Sequence, residues 1–479
     1  MNFKAIKNTL GLVLMFEAAC LLLPLICAAV YKEKDCVLIF ALCCAICLGV
    51  GLLMQINPPK DKKIYAKDGY VIVALSWIIM SLFGAIPFML TKTTASFADA
   101  LFETVSGFTT TGASILPDLD VVPRSILFWR SFSHWIGGMG VLVFLVALFP
   151  LSGGSNMHIL KAESPGPAVS KLVPKVRSTA KILYAIYFAF TVLEIVLLLL
   201  GGASPFDALT LSFGTAGTGG FAVLNSGLAD YSSYIQIVIT VFMIIFGVDF
   251  SLYYLVLCGK AKTAVKSEEL HGYLAIIAAS IALIAFNCRG LFASAAEAIK
   301  HSAFQVASII TTTGYSTVDF DLWPQLSKTI LVALMFVGAC AGSTGGGMKV
   351  SRIIIAFKSI IKEIKVTAHP KVTYKICMNG RMVEHETVRA VNAYLVAYFF
   401  ILIFSVLIIS IDNLDFTSNV TAVISAMNNI GPGLSKVGPV RNFSVYSPLS
   451  TLVLTFDMLA GRLEIFPILV LFSPYTWKE

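Results

Sequence analysis

Residues 9–30 (TLGLVLMFEAACLLLPLICAAV) run for 22 positions with a single charge, Glu17. Apolar runs recur at 36–56, 70–90, 183–200 and 390–411. A helix needs about 20 such residues to cross the roughly 30 Å hydrocarbon core of a bilayer. No water reaches that core, so helices that satisfy their own backbone are the solution open to these runs. The intervals between them leave no soluble domain of useful size. Composition agrees, with 57% of the 479 residues hydrophobic and 13% charged, against roughly 25% charged in soluble domains. The predicted fold class is an all-α polytopic membrane protein solvated by the lipid bilayer.

Lys4 and Lys7 precede the first run as they would in a secretory signal. That run is too long for a signal, and the second follows after a few polar residues, so both read as retained N-terminal helices. The formal charge of +8 could point to nucleic acid, but the positive residues collect in alternate loops. Lys60, Lys62, Lys63 and Lys67 fall in 57–69, and Lys161, Lys171, Lys175, Arg177 and Lys181 in 151–182. Lys260, Lys262 and Lys266 fall in 258–271, and Lys358, Lys362, Lys365, Lys371, Lys375 and Arg381 in 358–387. The positive-inside rule places these loops and both termini in the cytoplasm, which accounts for the charge without a nucleic-acid partner. Cys44 and Cys47 form a C-x-x-C inside an apolar run; with no further ligand pair they read as small buried side chains.

From residue 70 onward one pattern repeats four times: apolar helix, short amphipathic stretch, Gly/Thr loop, apolar helix, basic loop. Its central stretches are FADALFETVSGF, PFDALTLSFGTAGTGGF, AEAIKHSAFQVASIITTTGYS and SNVTAVISAMNNIGPG. Their helical portions, about 10–14 residues before each loop, are too short to span and read as re-entrant half-helices. The organisation expected is 1–68 for two extra N-terminal helices, then pore repeats at 69–165, 166–265, 266–380 and 381–479. Irregular backbone at membrane depth is tolerated where it is buried or lines a cavity, so the four loops are expected to converge on one passage.

Aligning the loops on Gly112, Gly219, Gly314 and Gly431 puts the glycines 107, 95 and 117 residues apart. The loops offer no ring of carboxylates and no His/Cys cluster, which leaves backbone carbonyls as ligands for a dehydrated cation. Glycine adopts the backbone angles that turn successive carbonyls inward, and rings of carbonyls replace the hydration shell of K⁺ in channels. The metal-ligating residues expected are Thr110, Thr111 and Gly112; Gly217, Thr218 and Gly219; Thr312, Thr313 and Gly314; and Asn429, Ile430 and Gly431. Threonine hydroxyls can add an oxygen or brace the carbonyls.

A second glycine cluster, GACAGSTGGGMKVSR from Gly338 to Arg352, interrupts the apolar segment that starts near 326. It lacks the G-K-[ST] ending and the preceding strand of a phosphate loop. Gly342, Ser343, Thr344, Gly345, Gly346 and Gly347, with Lys349 just beyond, are expected to break the helix beneath the filter as a gate; a packing kink is the alternative. Arg462 lies in the last apolar segment, where a charge must face a cavity or a partner. Its expected place is the pore below the filter, with a salt bridge to Asp457 or Glu464 as the alternative. Asp249 and Glu194 could equally be helix-bonding groups.

These stretches resemble the Trk/Ktr/HKT superfamily of potassium transporters, and within it the TrkH/TrkG branch. The resemblance covers nearly the whole chain and rests on SGFTTTGAS (106–114), HWIGGMGVLVF (134–144), GTAGTGGF (214–221), ITTTGYST (310–317), CAGSTGGGMKVSR (340–352) and AGRLEIFP (460–467). It implies K⁺ as the transported ion, a homodimer with one pore per subunit, and a cytosolic nucleotide-binding, TrkA-like regulatory subunit. It also implies that 342–347 is the intramembrane gating loop, that Arg462 obstructs the pore, and a bacterial inner-membrane location. Two departures stand out: Asp249 occupies a position where Asn is expected, and the fourth loop has no threonine. A secondary transporter of a small organic solute would need inverted repeats. A membrane enzyme would need convergent catalytic groups, and the six histidines (134, 158, 271, 301, 369, 385) sit in unrelated places, so the chain is read as a non-enzyme.

Overall fold

The computed structural model describes residues 1–58, 65–140, 176–370 and 373–477. The expectations placed on Lys60, Lys62, Lys63, Lys161, Lys171, Lys175 and Lys371, and residues 141–144 of HWIGGMGVLVF, lie outside the described residues. Two N-terminal spans come first, Phe3–Val30 and Lys34–Gln55. The former is interrupted at Leu21, where Pro24 removes the amide that would bond the Cys20 carbonyl. Gly11 and Gly51 let the two spans meet: a Cβ on Gly11 would lie 2.9 Å from the Gly51 carbonyl oxygen, and one on Gly51 would lie 3.0 Å from that of Gly11. Small residues at the contact permit this approach.

Four units of first helix, half-helix and second helix follow among the described residues. Their first helices, Lys67–Leu90, Ser178–Leu200, Glu268–Cys288 and His385–Asp412, are each long and apolar enough to span. Their half-helices are Phe97–Phe108, Pro205–Gly217, Ala295–Ile310 and Phe416–Asn428. Each starts at a side-chain cap: Ser96, Ser204, Ser294 and Asp415 accept from the amides of Asp99, Asp207, Glu297 and Ser418. In the first three the sequence is S-x-x-[DE], the local signature of a helix start.

The second helices, Arg124–Gly138, Ser233–Phe246, Gln325–Val337 and Pro448–Arg462, end after 15, 14, 13 and 15 residues. An interruption was expected in the third alone. In the second repeat the chain turns by 89° between Ser233–Phe246 and Phe250–Leu257, and in the fourth it turns at Glu464 and Ile465, both with positive φ. Each half-helix packs between its own second helix and the second helix of the preceding repeat, and the first repeat's packs against the fourth's. The order closes on itself, so the repeats surround one axis.

One small β-hairpin also forms, pairing Cys377–Met378 with Arg381–Met382. Asn379 and Gly380, both at positive φ, make the tight turn that an Asn-Gly pair favours.

Candidate ion-conduction site

All four half-helices end in the same cap. The amides of Thr111, Gly219, Thr313 and Ile430 donate to the carbonyls of Ser106, Gly214, Ser308 and Ser425 at 2.9, 2.8, 2.8 and 3.0 Å. The residues just before, Thr110, Thr218, Thr312 and Asn429, are left-handed, with φ of 55, 54, 60 and 55°. A left-handed residue followed by a bond reaching five positions back is a Schellman ending. One residue further on, Gly112, Gly220, Gly314 and Gly431 take φ of 76, 75, 88 and 102°.

This corrects the expected register in the second loop. Gly220, not Gly219, is equivalent to the other three glycines; Gly219 corresponds to Thr111, and Gly217 is still the last residue of its half-helix. The error came from aligning on the first of two adjacent glycines. Gly112, Gly314 and Gly431 are equivalent to one another, each two residues beyond a left-handed residue.

The four glycines form a closed ring. A Cβ on Gly112 would lie 1.9 Å from the Gly219 carbonyl oxygen, and one on Gly220 would lie 1.8 Å from that of Thr313. One on Gly314 would lie 2.0 Å from the Ile430 oxygen, and one on Gly431 would lie 2.8 Å from the Thr111 oxygen. Each loop thus leans its glycine on the preceding carbonyl of the next loop, from one to two, three, four and back to one. Side chains brace the ring. Thr109 bonds Thr111, and Thr311 bonds Thr313, hydroxyl to hydroxyl, both at 2.8 Å. Asn429 Nδ2 donates to Thr111 Oγ1 (3.0 Å) and to the Met458 carbonyl (2.9 Å), a cross-link between first and fourth repeats in the loop that lacks threonine.

On one side of the ring lies a vestibule of about 190 Å³ lined by Gly112, Gly220, Gly314 and Gly431 together. One water needs about 10–15 Å³ on the same measure, so it is a wet space. At its rim Asn225 Nδ2 donates to the carboxylates of Asp118 (2.7 Å) and Asp120 (2.9 Å). The Asn225 amide, joined by the Asp120 backbone amide, holds the Asp118 carboxyl below its usual range. Arg441 lines the same vestibule, so carboxylates and a guanidinium share its mouth.

On the other side lies the break in the third repeat's second helix, Gly338 to Lys349. It presses on the loop ends: the Gly346 amide donates to Thr312 Oγ1 at 2.6 Å, and a Cβ on Gly346 would lie 2.4 Å from the Asn428 carbonyl oxygen. Gly342 and Gly347 have positive φ, as does Lys349 at 75°. Lys349 is buried and donates through Nζ to the Gly345 carbonyl. Ser343 Oγ donates to the Cys340 carbonyl (2.6 Å) and Thr344 Oγ1 to that of Phe246 (3.2 Å). Arg462 donates through Nη1 to the Thr344 carbonyl (2.9 Å) and through Nη2 to those of Gly137 and Gly138, the latter at 2.8 Å. One guanidinium thus ties the fourth repeat to the third and the first at the level where their second helices stop. Of the carboxylates weighed as its partner, Asp457 accepts from Ser405 Oγ at 2.8 Å and Glu464 pairs with Arg352.

Glu269, Glu103 and Arg130 were missed at the sequence level, whereas Asp249 and Glu194 were singled out there without a settled role. Glu269 Oε1 accepts the amides of Ala341 (2.7 Å) and Ser351 (3.0 Å), fastening both ends of the break to the third repeat's first helix. Asp249 caps the bent helix Phe250–Leu257 and sits against the same break, its Oδ1 2.6 Å from a Cβ built on Gly342. Glu194 is buried on a helix that packs against the second half-helix. Glu103 and Arg130 form a buried pair at 2.6 Å, and His134 lies buried behind the second loop. Only a charge inside an amphipathic or apolar stretch could have signalled them.

Four half-helix hairpins closed round a wet passage define the class: a polytopic, all-helical membrane protein with a pore-like centre. The sequence matches the model of the TrkH family, described as a cation transport protein, over residues 36–278 and 273–478. It is 34% identical to the Trk system potassium uptake protein TrkH of Escherichia coli K12 across the whole of both chains. It is 30% identical to TrkG of the same organism over 100% of this chain and 99% of that one. The crystal structure of the potassium transporter TrkH from Vibrio parahaemolyticus superposes with a TM-score of 0.90 at 31% identity over the full length of both. The chain belongs to the TrkH family of cation transport proteins.

Proposed function

We propose that this chain takes up K⁺ across the bacterial inner membrane through a channel-like pore. Carbonyl oxygens next to Gly112, Gly220, Gly314 and Gly431 replace the ion's water, and the C-terminal ends of the half-helices add a favourable dipole. The closed glycine–carbonyl ring is the observation that carries this reading, and the potassium-uptake names of the relatives support it. The membrane potential contributes about 2.3 kcal/mol per charge per 100 mV, so inward movement needs no fuel in this subunit.

The stretch 342–347 is the gate and Arg462 its latch, closing the passage beneath the ring. Both termini face the cytoplasm, two copies pair, and a cytosolic nucleotide-binding, TrkA-like subunit sets the latch from the basic side. Purified protein in liposomes, with the regulatory subunit present, is expected to take up ⁸⁶Rb⁺ in competition with K⁺ and weakly with Na⁺. No uptake, or uptake that Na⁺ competes for equally, would reject the reading.

A further inference from the structure

The second loop departs from the other three in having glycine where Thr111, Thr313 and Ile430 carry side chains. Gly219 does not take a positive φ, since that conformation is confined to Thr218 and Gly220 on either side. Its glycine identity therefore needs a steric cause. A Cβ on Gly219 would lie 2.2 Å from Cγ and 2.3 Å from Nδ1 of His134, so the imidazole already occupies that space.

His134 comes from the second helix of the first repeat and is fully buried. Its Nδ1 is 2.7 Å from the Gly107 carbonyl, in the first half-helix. Its Nε2 accepts the Phe221 amide at 3.2 Å, in the segment leaving the second loop. A carbonyl can only accept and an amide can only donate, so these partners require the neutral ring with its proton on Nδ1. The ring also lies against Phe221 with centroids 4.3 Å apart.

One helical turn earlier, on the same face, Arg130 donates to Glu103 of the first half-helix (2.6 Å) and to the Ala222 carbonyl (3.2 Å). Its guanidinium lies 4.0 Å from the Phe221 ring centroid.

We propose that His134 is a positioning residue for the ion-selective ring. Its imidazole supplies, from the first repeat, the buttress that Thr111 and Thr313 supply within their own loops, and with Arg130 it fixes the spacing between the first and second loops. This rests on the filter reading above. Losing both ring hydrogen bonds is expected to lower selection for K⁺ over Na⁺ by at least about tenfold, while flux of the less favoured ion persists or rises.

The test is a double-mutant cycle on full-length protein in liposomes, read as the K⁺/Na⁺ flux ratio, with thermal unfolding in detergent alongside. Gly219→Thr alone, colliding with the imidazole, is expected to lose K⁺ selection. His134→Ala alone is expected to conduct without discriminating. In His134→Ala/Gly219→Thr the threonine enters the vacated space, and selection returns at least severalfold toward native.

A double variant no more selective than either single one overturns the proposal, as does a His134→Ala protein that conducts with native selectivity. If His134→Ala alone does not assemble, recovery of folded, selective protein in the double variant supports the proposal, and its failure to recover overturns it. Native protein that moves neither K⁺ nor Rb⁺ removes the filter reading and this inference together. Native selectivity in conducting His134→Ala removes this inference alone.

Discussion

Thr110, Thr218 and Thr312 are β-branched residues held in the left-handed region, a conformation that costs an L-residue about 1–2 kcal/mol. Such cost persists where surrounding structure over-determines the backbone, and here the Schellman bonds do so. The glycine that follows is less replaceable still. Gly112→Ala, Gly220→Ala and Gly314→Ala each push a methyl group to 2.0 Å or less from a carbonyl oxygen. They are expected to abolish K⁺ over Na⁺ selection in ⁸⁶Rb⁺ competition. Gly431→Ala, with 2.8 Å available, is expected to retain more of it. Native selection in Gly220→Ala would return the equivalent position to Gly219. At this scale the sequence displayed the threonines and glycines but not their register in the second loop, because two adjacent glycines are indistinguishable without the cap. It was also silent on Glu103 and Arg130, whose pairing joins positions 27 apart. Glu103→Ala strands a buried cation and is expected to cost about 3–5 kcal/mol, readable as lowered thermal stability; an unchanged melting temperature would deny the pair that role.

The half-helices are the elements most legible in the sequence. FADALFETVSGF is the observed first one, Phe97–Phe108, because length, cap and amphipathicity all point the same way. The ends of the second helices were less so. The third announces its break with five glycines between 338 and 347, whereas the 89° turn in the second repeat is marked by Gly247 and Asp249 alone. The Asn379-Gly380 hairpin was legible and went unread.

Two predictions belong to these breaks. Arg462→Ala removes the bonds to Thr344, Gly137 and Gly138 and is expected to raise ⁸⁶Rb⁺ uptake severalfold; unchanged or lower uptake by folded protein would end the latch role. Glu269→Ala frees the amides of Ala341 and Ser351, each bond to a charged group being worth about 1.5–3 kcal/mol. Uptake without the regulatory subunit is then expected to rise, and a fall would show that the loop must be held in place for conduction.

For the whole molecule, apolar runs indicated the membrane fold and the fourfold pattern indicated loops converging on one passage; the cyclic order emerges only from the packing of each half-helix between neighbouring second helices. The proposed orientation puts Cys258 and Cys377, both exposed and unpaired, in the cytoplasm. A membrane-impermeant thiol reagent is expected to label them in inside-out vesicles and to spare them in intact cells. Labelling in intact cells would invert the topology.

The ring is encoded once along a single polypeptide, by four loops of differing sequence. A substitution in a tetrameric channel reaches every side of the ion's path, but here it alters one quadrant and leaves three native. On the proposed path, ions passing through such a variant would meet a lopsided cage, so comparing the same change made in turn at each loop would reveal which side an ion leans on.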